Sequence, residues 1–135
     1  MMRGKPMASV YNPSAYTKWQ KEAQDVLSGL KGPEGGPLEG PLFVLTDFVM
    51  EKARTSKFVE PTGLRTGDID NHQKTIYDVI TKDGKWWKDD CQIIIAWASK
   101  SFGTPVIRVQ CRELRNPDQL EAYRRLIFSG VANAF

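Results

Sequence analysis

Asp68, Asp70, Lys74 and Asp90 are the residues whose types and spacing point to chemistry. Asp is a poor residue inside a helix or strand, and like charges held close together repel. Acids clustered in an otherwise basic chain therefore suggest a counter-ion. Asp68 and Asp70 are two apart, which in an extended segment puts both side chains on one face. Asp90 follows a helix and a turn, just before an apolar run. Such a unit can bring its ends together, so the three carboxylates are expected within roughly 8 Å of one another, close enough for one ion with waters. An oxygen-only set suits Mg²⁺ or Mn²⁺ rather than zinc. The ion could activate a water, polarise a phosphodiester and stabilise the departing oxyanion. Lys74, one turn into the helix, could stabilise charge building on a scissile phosphate. The plainer reading stands beside this one: Asp70 caps a helix, and Asp89-Asp90 is a turn.

The positioning elements can be read from periodicity. Asn12-Pro13 starts a helix whose apolar face is Tyr16, Trp19, Ala23, Val26, Leu27 and Leu30. A Gly/Pro loop over 31–41 follows. Leu42–Met50 reads as a strand, buried early and alternating later. It feeds a long basic loop with Lys52, Arg54, Lys57 and Arg65, which is either functional or merely solvated. Asp70–Thr81 is a helix, capped by Asp70 or Asn71, with Ile76, Val79 and Ile80 as its core stripe. Gln92–Ala98 and Thr104–Arg112 read as two strands of a hairpin, which would set Cys91 nearly opposite Cys111. Both cysteines are expected to be reduced. Asn116-Pro117 opens a last amphipathic helix, to Phe128, carrying Arg124 and Arg125 on its flank.

These elements make one α+β domain: a small mixed β-sheet packed with two helices, plus an added C-terminal helix. The 135 residues suffice for a modest core. No apolar run approaches the ~18 residues of a membrane span, and the N-terminus lacks the apolar stretch of a signal peptide. Two cysteines are too few for a disulfide framework or a zinc site. A cytoplasmic location follows as the default. The net charge of +3 is unevenly spread: residues 68–90 hold six acids and four lysines, leaving 15 bases against 10 acids elsewhere. A basic surround attracts a phosphate backbone, and an acidic centre could hold an ion that reaches one phosphate.

The order of residues adds a resemblance. Asp68-Ile69-Asp70-Asn71-His72-Gln73-Lys74, a helix, Trp87, Asp89-Asp90 and an apolar strand resemble the RusA family of Holliday junction resolvases, frequent in phages and prophages. The pattern is D-x-D-N-x-x-K, a helix, an aromatic, D-D and a strand. The resemblance implies a Mg²⁺-dependent, structure-selective endonuclease (Mn²⁺ as substitute) acting as a homodimer on branched DNA in recombination and repair, by paired nicks in four-way junctions. It implies a bacterial host, with the gene carried by the host, a phage or a prophage. Carried over by position, Asp68, Asp70 and Asp90 are the metal-binding catalytic carboxylates and Lys74 the basic catalytic residue. Asp89 would orient Asp90 or act behind it. Arg3, Lys5, Lys57, Arg65 and Lys100 are the DNA-binding candidates, Lys100 because members often carry a lysine after the strand. The nuclease domain is placed at 1–115 and the helical extension at 116–135.

The sequence departs from the family in three places. His72 stands where an apolar residue is usual, either as a half-buried neutral ring or as a ligand or base. The chain begins almost at the basic stretch, so the family's first strand is expected to be missing. The helix after Asn116 looks like an addition. Of Trp86 and Trp87, one is expected in the core and one over the turn, with stacking on an unpaired base as the alternative. Two rival functions remain: a branched-DNA-binding protein without cleavage, and a metal-binding protein that is not a nuclease.

Overall fold

The computed structural model describes residues 13–134, with side chains from 17 to 129. Arg3, Lys5 and the expected Asn12 cap lie outside the described residues. Element order is α1 (Pro13–Ser28), β1 (Leu42–Met50), a 3₁₀ turn (Leu64–Thr66), α2 (Ile69–Asp83), a second 3₁₀ turn (Asp90–Gln92), β2 (Ile93–Phe102), β3 (Val106–Glu113) and α3 (Pro117–Ala134). This is the expected α+β class: a mixed three-stranded sheet with three helices.

Sheet order is β2-β1-β3, with β1 parallel to β2 and antiparallel to β3. The expected hairpin is therefore wrong. β2 and β3 run in opposite directions but do not pair, because β1 lies between them. Phe102 is registered with Met50 and Val106 with Val49, so residues 103–105 cross the end of β1. The amide of Gly103 donates to the Met50 carbonyl at 2.8 Å to hold that crossing. The physical reason lies in β1 itself. Leu42, Val44, Thr46 and Phe48 are all buried, and the strand most removed from water must pair its backbone on both edges. The cysteines separate accordingly. Cys111 is registered with Val44, Cys91 lies in the turn before β2, and both are free.

The core joins Leu42, Val44 and Phe48 to Ile76 and Ile80 of α2 and to Trp87. Val79, the third residue of the helix stripe, is also buried. Trp87 is fully buried, and its Nε1 donates to Thr81 Oγ1 at 2.7 Å, so its polar end is satisfied where the ring is dry. Trp86 is half-buried beside it, and its carbonyl accepts from the Leu38 amide. One tryptophan is thus core and the other covers the turn. α1 is tied to α2 by polar bonds: Gln24 Nε2 donates to the Val79 carbonyl at 2.9 Å. Lys85 Nζ donates to the Leu27 and Leu30 carbonyls at the end of α1, where a cation suits the helix dipole. α3 opens on Asn116, whose Oδ1 accepts from the Asp118 amide at 2.8 Å. It touches the sheet through Tyr123, edge-on to Phe43 at 5.3 Å and hydrogen-bonded to Arg112.

Candidate active site

The start of α2 is prepared by the end of the basic loop. Pro61 is fully buried and anchors that loop. Thr66 Oγ1 lies 2.8 Å from the Pro61 carbonyl and 2.7 Å from that of Gly63, closing the Leu64–Thr66 turn. Gly67 follows at φ 73° and ψ 168°, a conformation that essentially only glycine adopts. Asp68 then returns to extended backbone as the N-cap of α2. The expected cap at Asp70 or Asn71 is two or three residues too late, because the Gly67 bend ends the loop directly at Asp68. The two acids accordingly do not share an extended segment: Asp68 stands at the cap and Asp70 in the first helical turn.

An N-cap Asp ordinarily accepts a hydrogen bond from a backbone N–H of the first turn. Asp68 makes no such bond. Asp68, Asp70 and Lys74 are all exposed. None of the three is in an ion pair among the described residues. Lys74 is four residues after Asp70 on the same helix, the spacing of a helical ion pair. These two carboxylates and one ammonium thus stand within the first two turns of one helix end without being used up by the fold. The positive end of the helix dipole partly offsets the repulsion between the acids.

Asp89 and Asp90 divide by role. Asp89 is the N-cap of the second 3₁₀ turn. Its carboxylate accepts from the Cys91 amide at 2.8 Å while Gln92 Oε1 accepts from the Asp89 amide at 3.1 Å, a reciprocal capping box. The bond from Cys91 holds its carboxyl below the usual range. Asp90 carries no cap. Its carboxyl is raised above the usual range by partial burial first, then by the negative charges of Asp89 and Asp78. Asp78 lies eight residues beyond Asp70, about 12 Å of helix rise. Trp87, buried against Thr81, pins the turn to the far end of α2, so Asp90 joins the helix there. Among the described residues, no three His, Cys, Asp or Glu side chains are grouped to hold a metal ion.

Of the remaining candidates, Lys57 and Arg65 are exposed on the loop that leads into Asp68. Lys100 is half-buried on β2, and its Nζ donates to the Gly67 carbonyl at 2.7 Å. His72 points inward: its ring lies 5.4 Å from that of Phe48, and its Nε2 is 2.6 Å from the Thr66 carbonyl. A carbonyl only accepts, so Nε2 carries the proton. The ring is half-buried. Asp78 is exposed on the helix, and Thr66 and Gly67 received no role in the sequence analysis. Only Gly67, a glycine directly before an acidic helix start, carried a local signal.

No helix of the described residues is long and apolar enough to cross a membrane. No curated protein matches the chain. A family model described as Endodeoxyribonuclease RusA matches residues 2–112, from the N-terminal segment through both acidic turns and into β3. With that match covering most of its length and the D-x-D-N-x-x-K residues gathered at the start of α2, this chain belongs to the RusA family of endodeoxyribonucleases.

Proposed function

We propose that this nuclease is a Mg²⁺-dependent, structure-selective endonuclease that resolves four-way DNA junctions by paired nicks, as a homodimer, in recombination and repair. The observation that carries the reading is the uncommitted set at the start of α2. Asp68 and Asp70 accept no cap bond and no ion pair from the described residues, and Lys74 stands one turn away on the same helix. Such carboxylates suit a hard divalent ion. Asp90, pressed by Asp78 and Asp89, is the proposed third ligand, since a nearby cation would relieve that repulsion. The ion, Mg²⁺ or Mn²⁺, would supply Lewis-acid polarisation of the phosphodiester. The chain's own residues do the rest. Asp68 and Asp70 orient the site from a rigid helix start, and Lys74 stabilises negative charge growing on the scissile phosphate. Lys57 and Arg65 approach the backbone of the branched DNA from the adjoining loop. Exposed Leu45 and Trp97, neighbours in register on the sheet, offer apolar surface for a second copy. The nuclease domain is proposed as 1–115 and α3 as part of an added extension, 116–135. The proposed setting is the cytoplasm of a bacterial host, with the gene carried by the host, a phage or a prophage.

The second reading, a branched-DNA-binding protein without cleavage, is favoured by one observation: the three aspartates are not grouped within the chain. A nicking assay on a synthetic four-way junction separates the two. The wild type is expected to cut with Mg²⁺ and not with EDTA, and Asp70→Asn is expected to bind without cutting. Binding with no cutting under any divalent ion would establish the second reading. Cutting without preference for junction over duplex would remove the resolvase assignment. Mn²⁺ affinities of Asp68→Asn, Asp70→Asn and Asp90→Asn then assign the ligands: a loss in the first two alone would strike Asp90 from the set.

A further inference from the structure

We infer that Lys100 and His72 are positioning residues for Asp68, a role that rests on the reading of Asp68 as a metal ligand. Lys100 comes from the sheet and His72 from the helix that Asp68 caps. They grip consecutive carbonyls of the same bend: His72 Nε2 donates to Thr66 at 2.6 Å, and Lys100 Nζ to Gly67 at 2.7 Å. Lys100 Nζ also lies 3.5 Å from Thr66 Oγ1. Beneath both lies Phe48, buried in the core. Lys100 sits beside it in the strand register, and the His72 ring packs against its face. The bend is thereby fastened to the most rigid part of the molecule.

The consequence falls on the next residue. Gly67 holds a backbone conformation that costs free energy unless its surroundings over-determine it. Two donors on successive carbonyls fix the planes of the peptides that enter Asp68. The chain direction at the helix start is then set without a side-chain cap, and Asp68 makes none. In an ordinary N-cap the carboxylate is consumed in holding the turn. Here Lys100 and His72 hold it, and the carboxylate stays free for an ion. Lys100 is half-buried and directed at protein backbone, so its main work differs from that of the exposed Lys57 and Arg65.

The test uses Mn²⁺ as probe, read by electron paramagnetic resonance on the full chain, with folding checked by circular dichroism. Lys100→Met keeps the stem and removes the ammonium. It is expected to weaken Mn²⁺ binding by about tenfold, the lower end for a partner behind a metal ligand. Lys100→Arg should recover part of the loss. His72→Phe, which keeps the ring against Phe48 and removes the donor, should lose affinity in the same direction. The discriminating arm is the Asp68→Asn background, where Lys100→Met should have no further effect. Junction affinity in EDTA should keep its salt dependence in all these variants. An unchanged Mn²⁺ affinity in Lys100→Met, with the wild type binding normally, overturns the inference alone. So does a full tenfold effect in the Asp68→Asn background. A salt slope reduced by about one unit with Mn²⁺ binding intact makes Lys100 a phosphate contact instead. A wild type that holds no Mn²⁺ removes the ligand reading itself, and this inference with it.

Discussion

Replacing Gly67 by alanine is the sharpest perturbation of the site that leaves every proposed catalytic side chain in place. Two costs combine. The backbone at φ 73° and ψ 168° lies in a region open essentially only to glycine, worth roughly 1–3 kcal/mol for any other residue. A Cβ there would also stand 3.1 Å from His72 Nε2 and 3.2 Å from its Cε1. His72 cannot retreat freely, because that nitrogen is bonded to Thr66 and the ring rests on Phe48. Loosening the hydrogen bond adds about 1 kcal/mol. The expected destabilisation is therefore about 2–4 kcal/mol, a fall in Tm of roughly 7–14 °C for a chain this long. Gly84→Ala is the internal control. Gly84 also has positive φ, 75°, but a Cβ there meets nothing nearer than the Thr81 carbonyl at 3.9 Å, so about 1–2 kcal/mol is expected. Urea melts of both variants and of Gly67→Ala/His72→Ala measure the terms separately. The double variant should show about 1 kcal/mol less than additive loss, because the second substitution removes the clash. Equal costs at Gly67 and Gly84, or strict additivity with His72→Ala, would refute the account of the bend.

Three further outcomes follow from the same contacts. Asp89→Ala should lower stability by about 1 kcal/mol through loss of the capping box, whereas Asp90→Ala should leave stability intact and abolish nicking; denaturant melts paired with the junction assay check this, and the reverse pattern would exchange their roles. Thr81→Val should cost about 1–3 kcal/mol in a urea melt by stranding the buried Trp87 Nε1, and Trp87→Phe in the same background should recover part of it. Glu113 is held down at about 2, first by its hydrogen bond from Arg115 and then by the Gly40 amide. Its folded value lies below its unfolded one, so its stabilisation is complete above the ordinary glutamate range and is lost as pH falls toward 2. Thermal melts from pH 5 to pH 2 should therefore show an acid limb in the wild type that Glu113→Gln flattens.

Periodicity carried most of the architecture. Leu42–Met50 is the strand expected, α2 lies where its apolar spacing puts it although its cap is Asp68, and α3 starts where its cap and proline put it and runs on to Ala134. What failed was pairing. The few residues between β2 and β3 look like a hairpin loop to any local reading. Which strand lies in the middle is decided by burial of Leu42, Val44, Thr46 and Phe48 against a helix more than 20 residues away in sequence. The bend before Asp68 was illegible for a related reason. Its hydrogen bonds come from Lys100, 33 residues on, and from a histidine whose partner is a backbone carbonyl that carries no sequence signal. Asp89 was readable: an Asp followed three residues later by Gln is the signature of a capping box.

Among the acids, Asp68 stands apart as a helix N-cap left without its side-chain bond. Asp47 accepts from Ser99 and Arg108, and Asp83 pairs with Lys85. Asp89 caps its own turn, Glu113 accepts from two amides and Arg115, and Glu121 pairs with Arg125. In each case the fold absorbs the charge. Asp68 and Asp70 are placed two residues apart at a helix end, where dipole and geometry invite a cap, and neither is absorbed. Holding such a start by Gly67, His72 and Lys100 requires three specific residues where one capping carboxylate would do. A fold selected for stability alone would let Asp68 close the turn. Under the proposed function, that open carboxylate is what an ion carrying a phosphate would engage, beside Lys74.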